Sequence, residues 1–150
     1  MINISRFCEL LAELTAAVNN VATEENIQGW LISVNEGHAV KKLKDKRGVW
    51  LVAKYPDTMT IGNEDDLVSQ NEVLLFLLEK VPSGSQTESA EQAHYAKIQK
   101  LYELLRAEIL SGKHFCKYMK AGREFKEEWE YDIFGGFNGV SVSFSMETYD

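Results

Sequence analysis

Phe125-Lys126-Glu127-Glu128-Trp129-Glu130-Tyr131-Asp132-Ile133 and Val140-Ser141-Val142-Ser143-Phe144-Ser145-Met146 are the two stretches whose reading decides the fold. In the first, odd positions are apolar except Glu127, and every even position is charged. In the second, apolar residues and serines alternate without a break. Successive side chains of a strand point to opposite faces, so a period of two describes a ribbon with one buried side. Serine then occupies the outer side. Gly135-Gly136-Phe137-Asn138-Gly139 lies between the two runs, and its glycines and Asn-Gly pair tolerate positive φ. The two stretches therefore read as a hairpin, and a further strand over 115–120 is expected in the same sheet.

Upstream, Ser89-Ala90-Glu91-Gln92 fits a capping box, and His94, Ile98, Leu101, Leu105 and Ile109 then trace one helical stripe. Gly112 follows as a helix stop. About 23 residues at 1.5 Å each give a rod of ~34 Å, long enough to cross a sheet. An earlier helix is marked by Phe7, Leu10, Leu11, Leu14 and Val18, with Asn3 or Ser5 as its cap. Between the helices, Trp30, Ile32 and Val34 suggest a strand, and Asn35-Glu36-Gly37 supplies turn chemistry. Val49 to Tyr55 is a second strand, which Pro56-Asp57 stops, because proline cannot donate to a sheet ladder. Met59 and Ile61 suggest a short third strand, followed by the acidic loop Asn63-Glu64-Asp65-Asp66. Val73 to Leu78 is read as a central strand, with a buried helical turn as the alternative. The expected fold class is α+β: a mainly antiparallel sheet with an N-terminal helix and one long helix packed on one face. The segment 82–89 is linker-like but too brief to separate domains, so 1–150 reads as a single α+β domain.

The 150 residues have 45% hydrophobic and 26% charged content, which excludes low-complexity and wholly disordered chains. Size scaling predicts that folding reduces the accessible surface from about 24,600 Å² to about 7,700 Å², enough for a self-sufficient core. The net charge of −7 counts against nucleic acid as a partner. One segment opposes that trend. Lys41, Lys42, Lys44, Lys46 and Arg47 fall within seven residues, and they read as a solvated loop or hairpin tip, or as a local contact for an acidic partner or nucleic acid. No leader-like run is visible at the start and no apolar run is long enough to cross a bilayer, so the expectation is a cytoplasmic protein without a membrane partner. Cys8 reads as a small core hydrophobe, and two distant cysteines, Cys8 and Cys116, do not make a disulfide scaffold.

Candidate chemistry is sparse. His114-Phe115-Cys116 would place two metal-ligating side chains on one face of a strand, but two ligands are not four, so no metal is assigned. His94 on the helix stripe reads as a partly buried, hydrogen-bonded side chain. Glu127 points with Phe125 and Trp129 and is the best single candidate for a functional carboxylate, with a strand end or bulge as the simpler explanation. No phosphate loop, nucleophile elbow or kinase signature is present, so no catalytic residue and no cofactor are assigned. An enzyme would have to use Glu127, His94 or His114.

The order of helix, strands, apolar strand Val73–Leu78, long helix from Ser89 and the terminal alternating strand Val140–Met146 resembles tailed-phage tail-terminator and tail-completion proteins of the head–tail junction. The similarity is one of layout and spans most of the chain. It implies a non-enzymatic structural protein that works in rings, with copies of itself or other virion proteins as partners and the virion as an alternative location. Ring subunits join through strand edges and apolar rims, and Phe134, Phe137 and Tyr149 are the candidates for such contacts. Phe137 has a second reading, folded back over its hairpin. A binding module for a small ligand or protein, using a pocket between the long helix and the sheet, is the alternative function.

Overall fold

The computed structural model describes residues 1–82, 84, 86–115 and 119–149. Along the chain its elements are α1 (Ile4–Val21), β1 (Ile27–Ser33), α2 (Glu36–Leu43), β2 (Val49–Lys54), β3 (Asp57–Asn63), β4 (Asp66–Lys80), α3 (Glu88–Ser111), β5 (Met119–Ala121), β6 (Lys126–Ile133) and β7 (Phe137–Tyr149). The fold is α+β.

Two long strands form the spine of one seven-stranded sheet. β4 and β7 pair antiparallel from Val68–Tyr149 to Lys80–Phe137. The other edge of β4 carries β2 and then β3, one after the other. The other edge of β7 carries β6 and then β5. β1 lies outside β2 and runs parallel to it, while every other pairing among the described residues is antiparallel. β1 and β6 are therefore outer strands on opposite sides of the sheet.

The period-two pattern sorts the sheet residues onto two faces. On the first face, Val73, Leu75 and Leu77 of β4 meet Val140, Val142, Phe144 and Met146 of β7, beneath the apolar stripes of α1 and α3. The stripes are those the spacing predicts: Phe7, Leu10, Leu11, Leu14 and Val18 on α1, and Ile98, Leu101, Leu105 and Ile109 on α3. The N-terminal helix and the long helix thus share a face. The second face holds a smaller core of Leu31, Val52, Leu78 and Phe137 beneath Leu43 of α2. Burying a leucine fully contributes about 2 kcal/mol, so this small cluster suffices to seat a helix of two turns.

Several expectations change. The segment after β1 is not a turn followed by a loop or hairpin tip. Parallel strands need a crossover, and α2 provides it, with Asn35 accepting a hydrogen bond from the His38 N–H as its cap and Ala39 and Leu43 buried one turn apart. Val34 falls beyond β1 and is exposed. The acidic loop is reduced to Glu64-Asp65, because Asn63 and Asp66 already pair. The cap of α3 is the Thr87 hydroxyl, two residues before Ser89, and the helix ends at Gly112 in the left-handed conformation. Of the strand expected over 115–120, Met119 and Lys120 pair, continuing to Ala121; Phe115 lies in a turn, and residues 116–118, Cys116 among them, lie outside the described residues. Serine is not uniformly on an open surface, since Ser141 is buried and donates to the Glu130 carboxylate. Gly139 sits where a Cβ would meet the Leu77 carbonyl oxygen at 2.0 Å, which explains why the close β4–β7 approach needs glycine there.

Candidate interaction surfaces

Opposite charge gathers at the two margins of the sheet, on α2 beside β1 and on β6. On the β1 side, α2 and the residues after it present Lys41, Lys42, Lys44, Lys46 and Arg47 against Glu36 and Asp45. Lys42 donates to the Ile32 carbonyl, Lys46 lies over the Trp50 ring at 4.8 Å, and Arg47 donates to the Lys46 carbonyl. Among the described residues none of these five cations pairs with a carboxylate. Elsewhere such pairs are frequent: Lys54 with Asp57, Lys97 with Glu79, Lys100 with Glu24, Arg106 with Glu127, Lys113 with Glu108 and Lys126 with Glu128. Lys41 and Lys44 are exposed. Placing cations in the last turn of α2 also suits its dipole.

On the opposite side, β6 presents Glu127, Glu128, Glu130 and Asp132 against Lys126. Glu127, Trp129 and Tyr131 of β6 do point toward the α3 face, as the alternation predicts, whereas Ile133, beyond a register shift, packs against the second core, and the strand lies at the rim. Trp129 is 61% and Tyr131 70% exposed. The alternation points this side of the strand toward the core or a partner, and both side chains stand in a groove between β6 and the outer flank of α3. The Trp129 ring meets the Tyr95 ring edge-on, with centroids 5.5 Å apart and planes at 90°. The Tyr95 hydroxyl donates to the Glu130 carbonyl at 2.7 Å, which fixes that wall. Glu91, Gln92, Ala96 and Gln99 of α3 complete a groove of about 670 Å³. Burial, then the charges of Glu91, Tyr131 and Glu130, push the Tyr95 phenol above its usual pKa of 10.0.

The remaining sequence candidates are dispersed. Glu127 forms a 3.1 Å pair with Arg106, and the two stand beside the buried Tyr102 hydroxyl, whose pKa is raised by burial and by that carboxylate. His94 is 7% exposed and, contrary to expectation, neither ring nitrogen has a hydrogen bond; its Nε2 is 3.6 Å from Glu79 Oε1. His114 contacts Glu108 at 2.6 Å through Nε2 and lies 3.7 Å from Glu13 through Nδ1. Among the described residues no group of three or more His, Cys, Asp or Glu is placed to hold a metal ion.

Of the apolar-rim candidates, Phe137 is 1% exposed, inside the second core, which removes it from any surface. Phe134 packs edge-on against Phe76 at 5.0 Å. Tyr149 is exposed at the end of β7, paired with Val68, and its hydroxyl donates to Glu147. Cys8 is half-buried against the main core. No helix among the described residues is long and apolar enough to cross a membrane. Compared with known proteins, the chain matches no protein-family model and no curated protein sequence.

Proposed function

We propose that this chain is a non-enzymatic assembly subunit that self-associates head to tail, the basic edge of one copy against the acidic edge of the next. The observation that carries this reading is the segregation of charge to opposite margins of one sheet, cations on α2 and the residues after it beside β1, and carboxylates on β6. The unpaired cations of α2 sit on the second face at the β1 edge, and the Trp129–Tyr131 groove sits on the first face at the β6 edge. Opposite faces at opposite edges suit a lap joint, in which each copy overlaps its neighbour. Such a contact uses two different patches, so it is heterologous and yields a closed ring or an open filament rather than a two-fold dimer. A ring is the form suited to a tail terminator or neck component of a phage particle, and the order of the elements supports that setting.

Sedimentation velocity with static light scattering tests the reading. The expected mass exceeds the 17.0 kDa of one chain, grows with protein concentration and shrinks as salt rises from about 0.05 to about 0.5 M, because screening shortens the reach of the edge charges to a few ångström. A mass of one chain at every concentration and salt level overturns it.

A further inference from the structure

The groove beside β6 has the chemistry of a cation receptor. Its walls are the faces and edges of Tyr95, Trp129 and Tyr131, with the Tyr95 and Trp129 planes perpendicular, so together they enclose a corner rather than a flat platform. Aromatic faces attract ammonium and guanidinium groups, most strongly when tryptophan takes part. The Glu91 carboxylate lines the same groove, and Glu130 bears on the Tyr95 phenol, so the local charge is negative. Among the described residues no cation fills the corner: Arg106 pairs with Glu127 over the neighbouring Tyr102 ring, and Lys126 pairs with Glu128. Meanwhile Lys41 and Lys44 stand exposed at the opposite edge of the sheet without a carboxylate. The same chain already seats one of this basic cluster on an indole, Lys46 over Trp50.

We infer that the Tyr95–Trp129–Tyr131 corner receives a lysine ammonium, Lys41 or Lys44, from the C-terminal end of α2 of a second copy of this chain. The inference rests on the head-to-tail reading and names its central contact. It specifies more than charge attraction, because the aromatic walls contribute as well as the carboxylates.

The test is a double-mutant cycle on the self-association constant, measured by sedimentation velocity on the full chain. The proteins are the unaltered chain, Trp129→Leu, Lys41→Met/Lys44→Met, and the combination. Thermal melts followed by circular dichroism confirm that each variant is folded, and Tyr131→Leu serves as the second variant should Trp129→Leu fail to fold. The expected result is a loss of about tenfold in association for Trp129→Leu, partial recovery with Trp129→Phe, and no further loss when the lysine changes are added. Salt-sensitive association that Trp129→Leu and Tyr131→Leu leave unchanged, or losses that simply multiply, would overturn the ammonium receptor while leaving the charged-edge reading intact. A chain that stays monomeric throughout overturns both.

Discussion

Asn71 is the polar residue on which the sheet depends most. Its side-chain oxygen accepts from the Ile2 N–H at 3.1 Å and the Thr58 hydroxyl at 2.7 Å, and its amide donates to the Met146 carbonyl at 2.9 Å and the Thr148 hydroxyl at 3.1 Å. One fully buried side chain thereby ties the segment leading into α1 to β3, β4 and β7. Asn71→Leu is expected to lower stability by about 3 kcal/mol, since it strands several buried groups at once. Urea unfolding checks this as a lower midpoint with an unchanged slope. His94 gives a different test. Burial, the largest cause, depresses its pKa below 6.5 despite the opposing pull of Glu79, with Lys97 adding to the depression. Below pH 6.5 the unfolded chain therefore binds a proton that the native chain refuses, so stability falls as pH drops from 7.5 to about 5.5. His94→Leu is expected to flatten that part of the curve, and an unchanged pH slope in denaturant titrations would count against burial as the cause. Neither role was legible in the sequence. The spacing placed His94 on the buried stripe but could not show that its ring nitrogens lack a hydrogen bond among the described residues, and nothing local marks Asn71, whose partners lie up to 77 residues away.

At the scale of elements, caps and edges were harder to read than stripes. The helix stripes of α1 and α3 follow directly from three- and four-residue spacing, and both are found where expected. The cap of α3 was not, because Thr87 and Ser89 are both hydroxyl residues in a polar run and only tertiary context chooses between them. Thr87→Ala is expected to cost about 1 kcal/mol and Ser89→Ala no more than a few tenths, compared by thermal or urea unfolding. Helix α2 was missed because it is short and its lysines hide the Ala39–Leu43 spacing. Its existence follows from the parallel β1–β2 pairing, which no local pattern announces. The period-two reading of β6 assigned the correct face to Trp129, but alternation carries no information about depth. An edge strand at the rim of a helix keeps the pattern of a core strand while its aromatics stay in water.

For the molecule as a whole, the fold class was legible because helices with one apolar stripe and strands with one apolar face have few ways to cover each other. The strand order was not, and the function depends on it. The cations at 41–47 and the carboxylates at 127–132 are ordinary charge runs in the linear chain; only the order that makes β1 and β6 the two outer strands sets them at opposite edges. The most direct test of head-to-tail assembly is the sedimentation behaviour of a chain with both edges reversed, Lys41→Glu/Lys44→Glu together with Glu128→Lys/Asp132→Lys, which retains the net charge of −7. Reversing either edge alone is predicted to give a monomer. Reversing both is predicted to restore association, weaker than that of the unaltered chain by the lost ammonium–aromatic contact, about tenfold. A doubly reversed chain that stays monomeric while the unaltered chain assembles, or single-edge reversals that assemble undiminished, would contradict the account.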